Sequence, residues 1–178
     1  LFTDITANVF PRPSLSLNGV RDAASGDASE AFSAGQYISL FGAALAPSLR
    51  VFSGNELALA LARTSVSFDN EAQRVSVPGR LHFVSPTQIN VQIPWECEGL
   101  ATVDLKVSIS EFSSEVVSLR LRPANPAFFE FTEAGTNRRF IAALDGQFRL
   151  ITSDNAVPRG QVAQLYANGL GRVTNPPA

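Results

Sequence analysis

Gln88-Ile89-Asn90-Val91-Gln92-Ile93 alternates three β-branched residues with three amides. Successive side chains of a strand point to opposite faces. Ile89, Val91 and Ile93 therefore form one apolar face and Gln88, Asn90 and Gln92 the other, as a strand with one buried and one wet side requires. The same period recurs outward from this run. Val103, Leu105, Val107 and Ile109 alternate with polar residues, and Val117, Leu119 and Leu121 do so opposite Ser118, Arg120 and Arg122. Shorter strands are expected at residues 14–17, 36–41, 65–68, 74–77 and 80–84. Pro78-Gly79, Ser85-Pro86, Glu98-Gly99 and Ser113-Ser114 stand between them as turns, since Gly supplies unusual φ and Pro ends a ladder. About seven or eight short strands with frequent turns predict an all-β, antiparallel sandwich. The Leu/Ala alternation from Leu57 to Ala62 fits either a helix or an edge strand.

Pro123-Ala124-Asn125-Pro126 interrupts the pattern, and residues before proline are driven to extended conformations, so a module boundary is expected there. Beyond it, the apolar runs 139–144 and 147–152 flank Asp145-Gly146, a hairpin signal of the type I′ kind, which needs positive φ at both central residues. A repeat offset by 125 residues links Gly35-Gln36, Leu40-Phe41 and Leu45 to Gly160-Gln161, Leu165-Tyr166 and Leu170. Each copy reads as a turn glycine releasing a strand, an apolar-aromatic pair, and a loop of small residues whose Leu folds back into a core.

Composition narrows the function classes. The chain has 178 residues, 45% hydrophobic and 17% charged, with formal net charge −2, one Cys, one His and no Met. A single Cys97 excludes a disulfide framework and a Cys-rich metal module. The arginines are spread from Arg12 to Arg172, with Lys106 the one lysine, and give no concentrated basic stripe, so nucleic acid is not an expected partner. No apolar run is long enough for a membrane span. The first residues lack the basic and apolar regions of a signal peptide. A start without Met leads to the expectation of a piece cut from a longer chain.

The repeat resembles the opening of IPT/TIG domains, the immunoglobulin-like early-set sandwiches. Asn18-Gly19-Val20-Arg21-Asp22, the Gly35-Gln36 strand start, Val84-Ser85-Pro86-Thr87-Gln88-Ile89-Asn90-Val91-Gln92 and Gly169-Leu170-Gly171 together resemble an uncharacterised tandem C-terminal module of secreted acidobacterial-type proteins. The resemblance implies an N-terminal extension or linker at 1–13, an immunoglobulin-like sandwich at 14–122, a linker at 123–126 and a second, incomplete unit at 127–178. A complete sandwich takes on the order of 100 residues. The second unit is therefore expected either to pack on the first or to self-associate through unpaired strands. The resemblance carries over no activity and no catalytic residues. It implies an extracellular or cell-surface interaction or spacer module that binds a protein or an extracellular polymer.

The chemistry-bearing residues agree with a non-enzyme. His82 stands mid-strand, opposite Leu81 and Phe83, as an exposed or hydrogen-bonded structural residue. Cys97 lies between Glu96 and Glu98, whose charges raise a thiol pKa and disfavour a thiolate; it reads as a small, half-buried residue. Glu96 with Glu98, and Glu111 with Glu115, read as solvated loop charges rather than a glycosidase pair. Asp69-Asn70-Glu71 offers oxygen ligands but lacks the spaced series and Gly of a calcium loop, so neither a metal nor a cofactor is expected. Two surface features remain as candidates. The amides Gln88, Asn90 and Gln92 with Trp95 offer sugar-recognition chemistry, against Trp95 as a packing residue closing the sandwich. Phe128, Phe129 and Phe131 at the junction offer a buried inter-module contact.

Overall fold

The computed structural model describes residues 11–173. All but the last three residues of the expected N-terminal linker, and the end of the second unit, lie outside that range. In chain order the first ten strands are β1 (Ser14–Asp22), β2 (Tyr37–Ala43), β3 (Arg50–Val51), β4 (Thr64–Asn70), β5 (Val75–Pro78), β6 (Arg80–Val84), β7 (Gln88–Gln92), β8 (Thr102–Ile109), β9 (Phe112–Ser113) and β10 (Val117–Arg120). They form two antiparallel sheets, ordered β1-β2-β7-β6-β3 and β10-β8-β4-β5, with β9 paired to β8. No α-helix occurs among the described residues. The fold is an all-β sandwich.

The alternation that predicts the strands also builds the core. Ile89, Val91 and Ile93 meet Ile38, Leu40, Leu81 and Val84 on one inner face, and Val66, Phe68, Val103, Leu105 and Val107 line the other; all are fully buried. Burial of this set removes apolar surface from water at roughly 25 cal/mol per Å². Pro78-Gly79 is where the chain crosses from one sheet to the other, because β5 pairs with β4 while β6 pairs with β7. A Cβ on Gly79 would stand 2.5 Å from Val91 Cγ2 and 2.7 Å from Phe68 Cε2. Only glycine lets the backbone pass between the two layers.

The structure corrects several local expectations. Leu57 to Ala62 is neither helix nor strand; it touches the two sheets by isolated bridges from Ala58 to Leu81 and from Leu61 to Thr64. The turn expected at Ser113-Ser114 lies at Ser110-Glu111, with Ile109 opposite Phe112 and Ser110 at φ 53°. β1 is longer than expected and carries a bulge between Leu15 and Val20 that pushes Leu17 into solvent.

Beyond Pro126 the strands are short: β11 (Ala127–Phe128), β12 (Glu130–Thr132), β13 (Arg139–Ile141), β14 (Ala143–Leu144), β15 (Gln164–Leu165) and β16 (Ala167–Asn168). They make three two-stranded pairs, β11 with β16, β12 with β13, and β14 with β15. At Asp145-Gly146 the chain reverses, but 147–152 forms no strand: one isolated bridge, Leu144 to Leu150, spans the turn, β14 pairs instead with β15, and the turn is not of type I′. Phe148 N–H donates to Asp145 O at 3.0 Å, and the left-handed residue is Phe148 at φ 60°, not Gly146. That is a three-residue loop with a bulge. The Asp145 carboxylate decides it, accepting the backbone N–H groups of Gln147 and Arg149 at 2.9 and 3.0 Å and the Arg149 guanidinium.

This second part lies against the sandwich through polar contacts. Tyr37 N–H donates to Asn168 Oδ1 at 2.9 Å, and Asn168 Nδ2 donates to Tyr37 O at 2.7 Å. The Asn168 amide thus serves Tyr37 as the next strand's peptide would. Asn168 Nδ2 also faces the buried Asp22, which accepts Gln36 Nε2 and the N–H groups of Ala24 and Ser25. Arg139 donates to Ser25 O and pairs with Asp27 and Glu130.

Candidate functional site

Gln88, Asn90 and Gln92 lie on the outer face of the first sheet, as the alternation predicts, and each is half-buried. Gln88 Nε2 donates to Asn90 Oδ1 at 2.8 Å, Ser39 Oγ donates to the same oxygen at 3.1 Å, and Gln92 Nε2 donates to Gly35 O at 3.0 Å. Asn90 Nδ2, Gln88 Oε1 and Gln92 Oε1 make no side-chain hydrogen bond among the described residues.

Register supplies what the sequence run does not show. Tyr37, Gln92 and Arg80 stand in one row across the sheet, and Arg21, Ser39, Asn90, Phe83 and Val51 in the next, with Phe41 beside Gln88. Tyr37, Phe41 and Phe83 are half-buried on this face. The amide column is thereby flanked by aromatic rings from β2 and β6, which reasoning along one strand missed. A signal was present in the outward positions of β2 and β6, but their neighbours are set by pairing across the sheet. Burial holds the Tyr37 hydroxyl's pKa above its ordinary value of 10.0.

Trp95 stands apart from the amides. It opens a single 3-10 turn, Trp95–Cys97, just past the end of β7. Its six-membered ring occupies the space that a side chain on Gly35 would need. Half-buried, it lines two clefts where the second part meets the sandwich. The larger, about 430 Å³, is bounded by Leu100, Leu121, Arg122, Leu170 and Arg172; the smaller, about 200 Å³, by Tyr37 and Asn168. Neither cleft contains Gln88, Asn90 or Gln92. Trp95 Nε1 is buried without a partner. Trp95 thus packs at the sandwich end, and the structure does not bring it into one pocket with the amides.

The junction phenylalanines distribute differently from one another. Phe131 stacks on Phe140 with centroids 6.0 Å apart, and Arg138 lies over the Phe140 ring at 5.4 Å, all within the second part. Phe128 is exposed in β11 and Phe129 half-buried.

The reactive types do not converge. His82 is exposed at the bulge where β6 shifts register against β7. Cys97 is fully buried in the core rather than half-buried, and burial followed by the Glu96 charge pushes its thiol up to about 12. A thiol at that value carries almost no thiolate near neutral pH. The Asp69 carboxylate is taken up by the Ser67 and Ser76 hydroxyls at 2.9 and 2.6 Å. Among the described residues no three His, Cys, Asp or Glu side chains gather as metal ligands, and no helix is long and apolar enough to cross a membrane. No protein-family model and no curated protein matches the chain.

Proposed function

We propose that the chain is a non-enzymatic interaction module, an immunoglobulin-like sandwich of IPT/TIG type with part of a second unit, working in a larger extracellular or cell-surface protein. The observation that carries this reading is the outer face of the first sheet, where rings, amides and arginines from several strands share one solvent-facing surface. Proteins place specificity in such arrays of polar groups between aromatic surfaces. The same face favours a second reading, a carbohydrate-binding accessory module of a secreted enzyme, because rings stack on sugar faces and amides bond hydroxyls.

The test is retention of the full chain on purified cellulose, chitin, pectin and peptidoglycan, and on immobilised matrix proteins, with product analysis alongside. Retention without turnover is the expected result. Turnover of any of these polymers, or retention that survives substitution of Asn90, Gln92 and Phe83 together by Ala, would overturn the reading.

A further inference from the structure

The first sheet segregates charge in a chain whose formal net charge is −2. Its outer rows carry Arg21 and Arg80, with His82 exposed at the β6 bulge; Arg50 pairs with the buried Val84 and so falls in an inward row at the sheet edge, and the one acid in the five strands is Asp22. Asp22 is turned away from the outer face: it is buried, opposite the buried Ile38, and is consumed by Gln36, Ala24 and Ser25. None of the three arginines joins a salt bridge among the described residues; Arg21 and Arg50 donate only to the carbonyls of Gly26 and Leu49. The outer surface of the other sheet differs, since Asp69 and Asp104 there balance Lys106 and Arg120.

We propose that this face binds an acidic polysaccharide, a chain of sugar rings with repeating carboxylates. The proposal rests on the binding-module reading and names its ligand. Arg21 on β1 and Arg80 on β6 stand three strand spacings and one row apart, about 16 Å at roughly 4.8 Å per spacing and about 3.4 Å of rise per residue. One small anion does not reach both, whereas a polymer with repeated charges does. Arginine suits the task because its planar fork takes a carboxylate by two parallel hydrogen bonds. Gln92 Oε1 and Asn90 Nδ2 for hydroxyls lie on β7 between the arginine-bearing strands, Phe83 for a sugar face stands one row along β6 from Arg80, and Gln88 Oε1 continues the column one row further. A phosphate polymer would use the arginines but leave that neutral hydrogen-bonding column idle.

Affinity electrophoresis of the full chain tests this in gels containing polygalacturonate, with its methyl-esterified form as the same backbone without charge and a single-stranded oligonucleotide as competitor. Retardation by polygalacturonate is expected. The paired substitution Arg21→Gln and Arg80→Gln should weaken it about tenfold, as loss of charge-assisted bonds implies. Phe83→Ala should weaken it too, while Arg120→Gln on the other sheet leaves it unchanged. Urea midpoints equal to the parent's keep the comparison on binding. Equal retardation by the esterified polymer, or full competition by the oligonucleotide, overturns the acidic-polysaccharide assignment and leaves the module reading standing. If the sheet-face variants alter binding of no polymer or matrix protein, both fall.

Discussion

The two copies of the Gly-Gln repeat share the bends at their two ends and differ in what lies between and around them. Gly35 and Gly160 have φ 75° and 87°, and nine residues later Ala44 and Gly169 have φ 52° and 68°. The bends at both ends therefore repeat at the same spacing. Yet in the first copy Gln36, Leu40 and Leu45 are fully buried, whereas Leu165, Tyr166 and Leu170 of the second are 52%, 47% and 71% exposed. The first copy runs as one strand beside β7, and the second is broken into β15 and β16 with different partners. The expectation that each closing Leu enters a core holds for Leu45 and fails for Leu170. Local sequence sets the bends, and burial comes from the strand that pairs alongside.

This contrast can be broken most forcefully at the paired leucines. Leu40→Ala is expected to cost about 2–5 kcal/mol in urea unfolding, the range for emptying a packed site, while Leu165→Ala stays within about 0.5 kcal/mol. The paired glycines come next. Gly160→Ala meets open space and costs only the left-handed penalty of about 1–2 kcal/mol, whereas Gly35→Ala also drives a methyl into the Trp95 ring and loses more. Equal losses at the two glycines would remove the Gly35–Trp95 contact from the account. Asn168→Ala removes both bonds to the Tyr37 backbone, about 1–3 kcal/mol for leaving a buried group unpaired. Amide exchange at Tyr37 should quicken while the Leu105 amide in β8 keeps its protection.

The smallest effect is a pH dependence confined to the second part. Backbone donation from Arg149, followed by its side chain and the Gln147 N–H, holds Asp145 at about 2 against an ordinary 3.8. A depressed carboxylate contributes order above its ordinary pKa and loses it as pH falls through the folded value. The amide shifts of Gln147 and Arg149 should therefore stay constant down to pH ~4 and move toward pH ~2. The Asp145→Asn variant should abolish that titration while the sandwich resonances stay fixed.

Much of the sandwich was legible because its strands are one-sided. At 88–92 and 102–109 every second side chain is buried, and period two needs no knowledge of the partner. β3 and β9 have two residues each and carry no period. The turn's place was legible from Asp145-Gly146, but its type was not, since a side-chain carboxylate rather than glycine geometry fixes it. The amide column could be read along one strand. Tyr37, Phe41, Phe83, Arg21 and Arg80 join it only through pairing between strands, and Trp95 leaves it because the chain turns after Pro94.

The crossing at Pro78-Gly79 also sets where this molecule tolerates being cut. With Val91 and Phe68 closing on the backbone, an inserted residue there would have to part the two layers. The exposed Ser53-Gly54-Asn55 stretch makes no such demand. Exposed tips of this kind accept nicks and new termini. A circular permutant opened at Gly54 should retain the sandwich, and one opened at Gly79 should lose it.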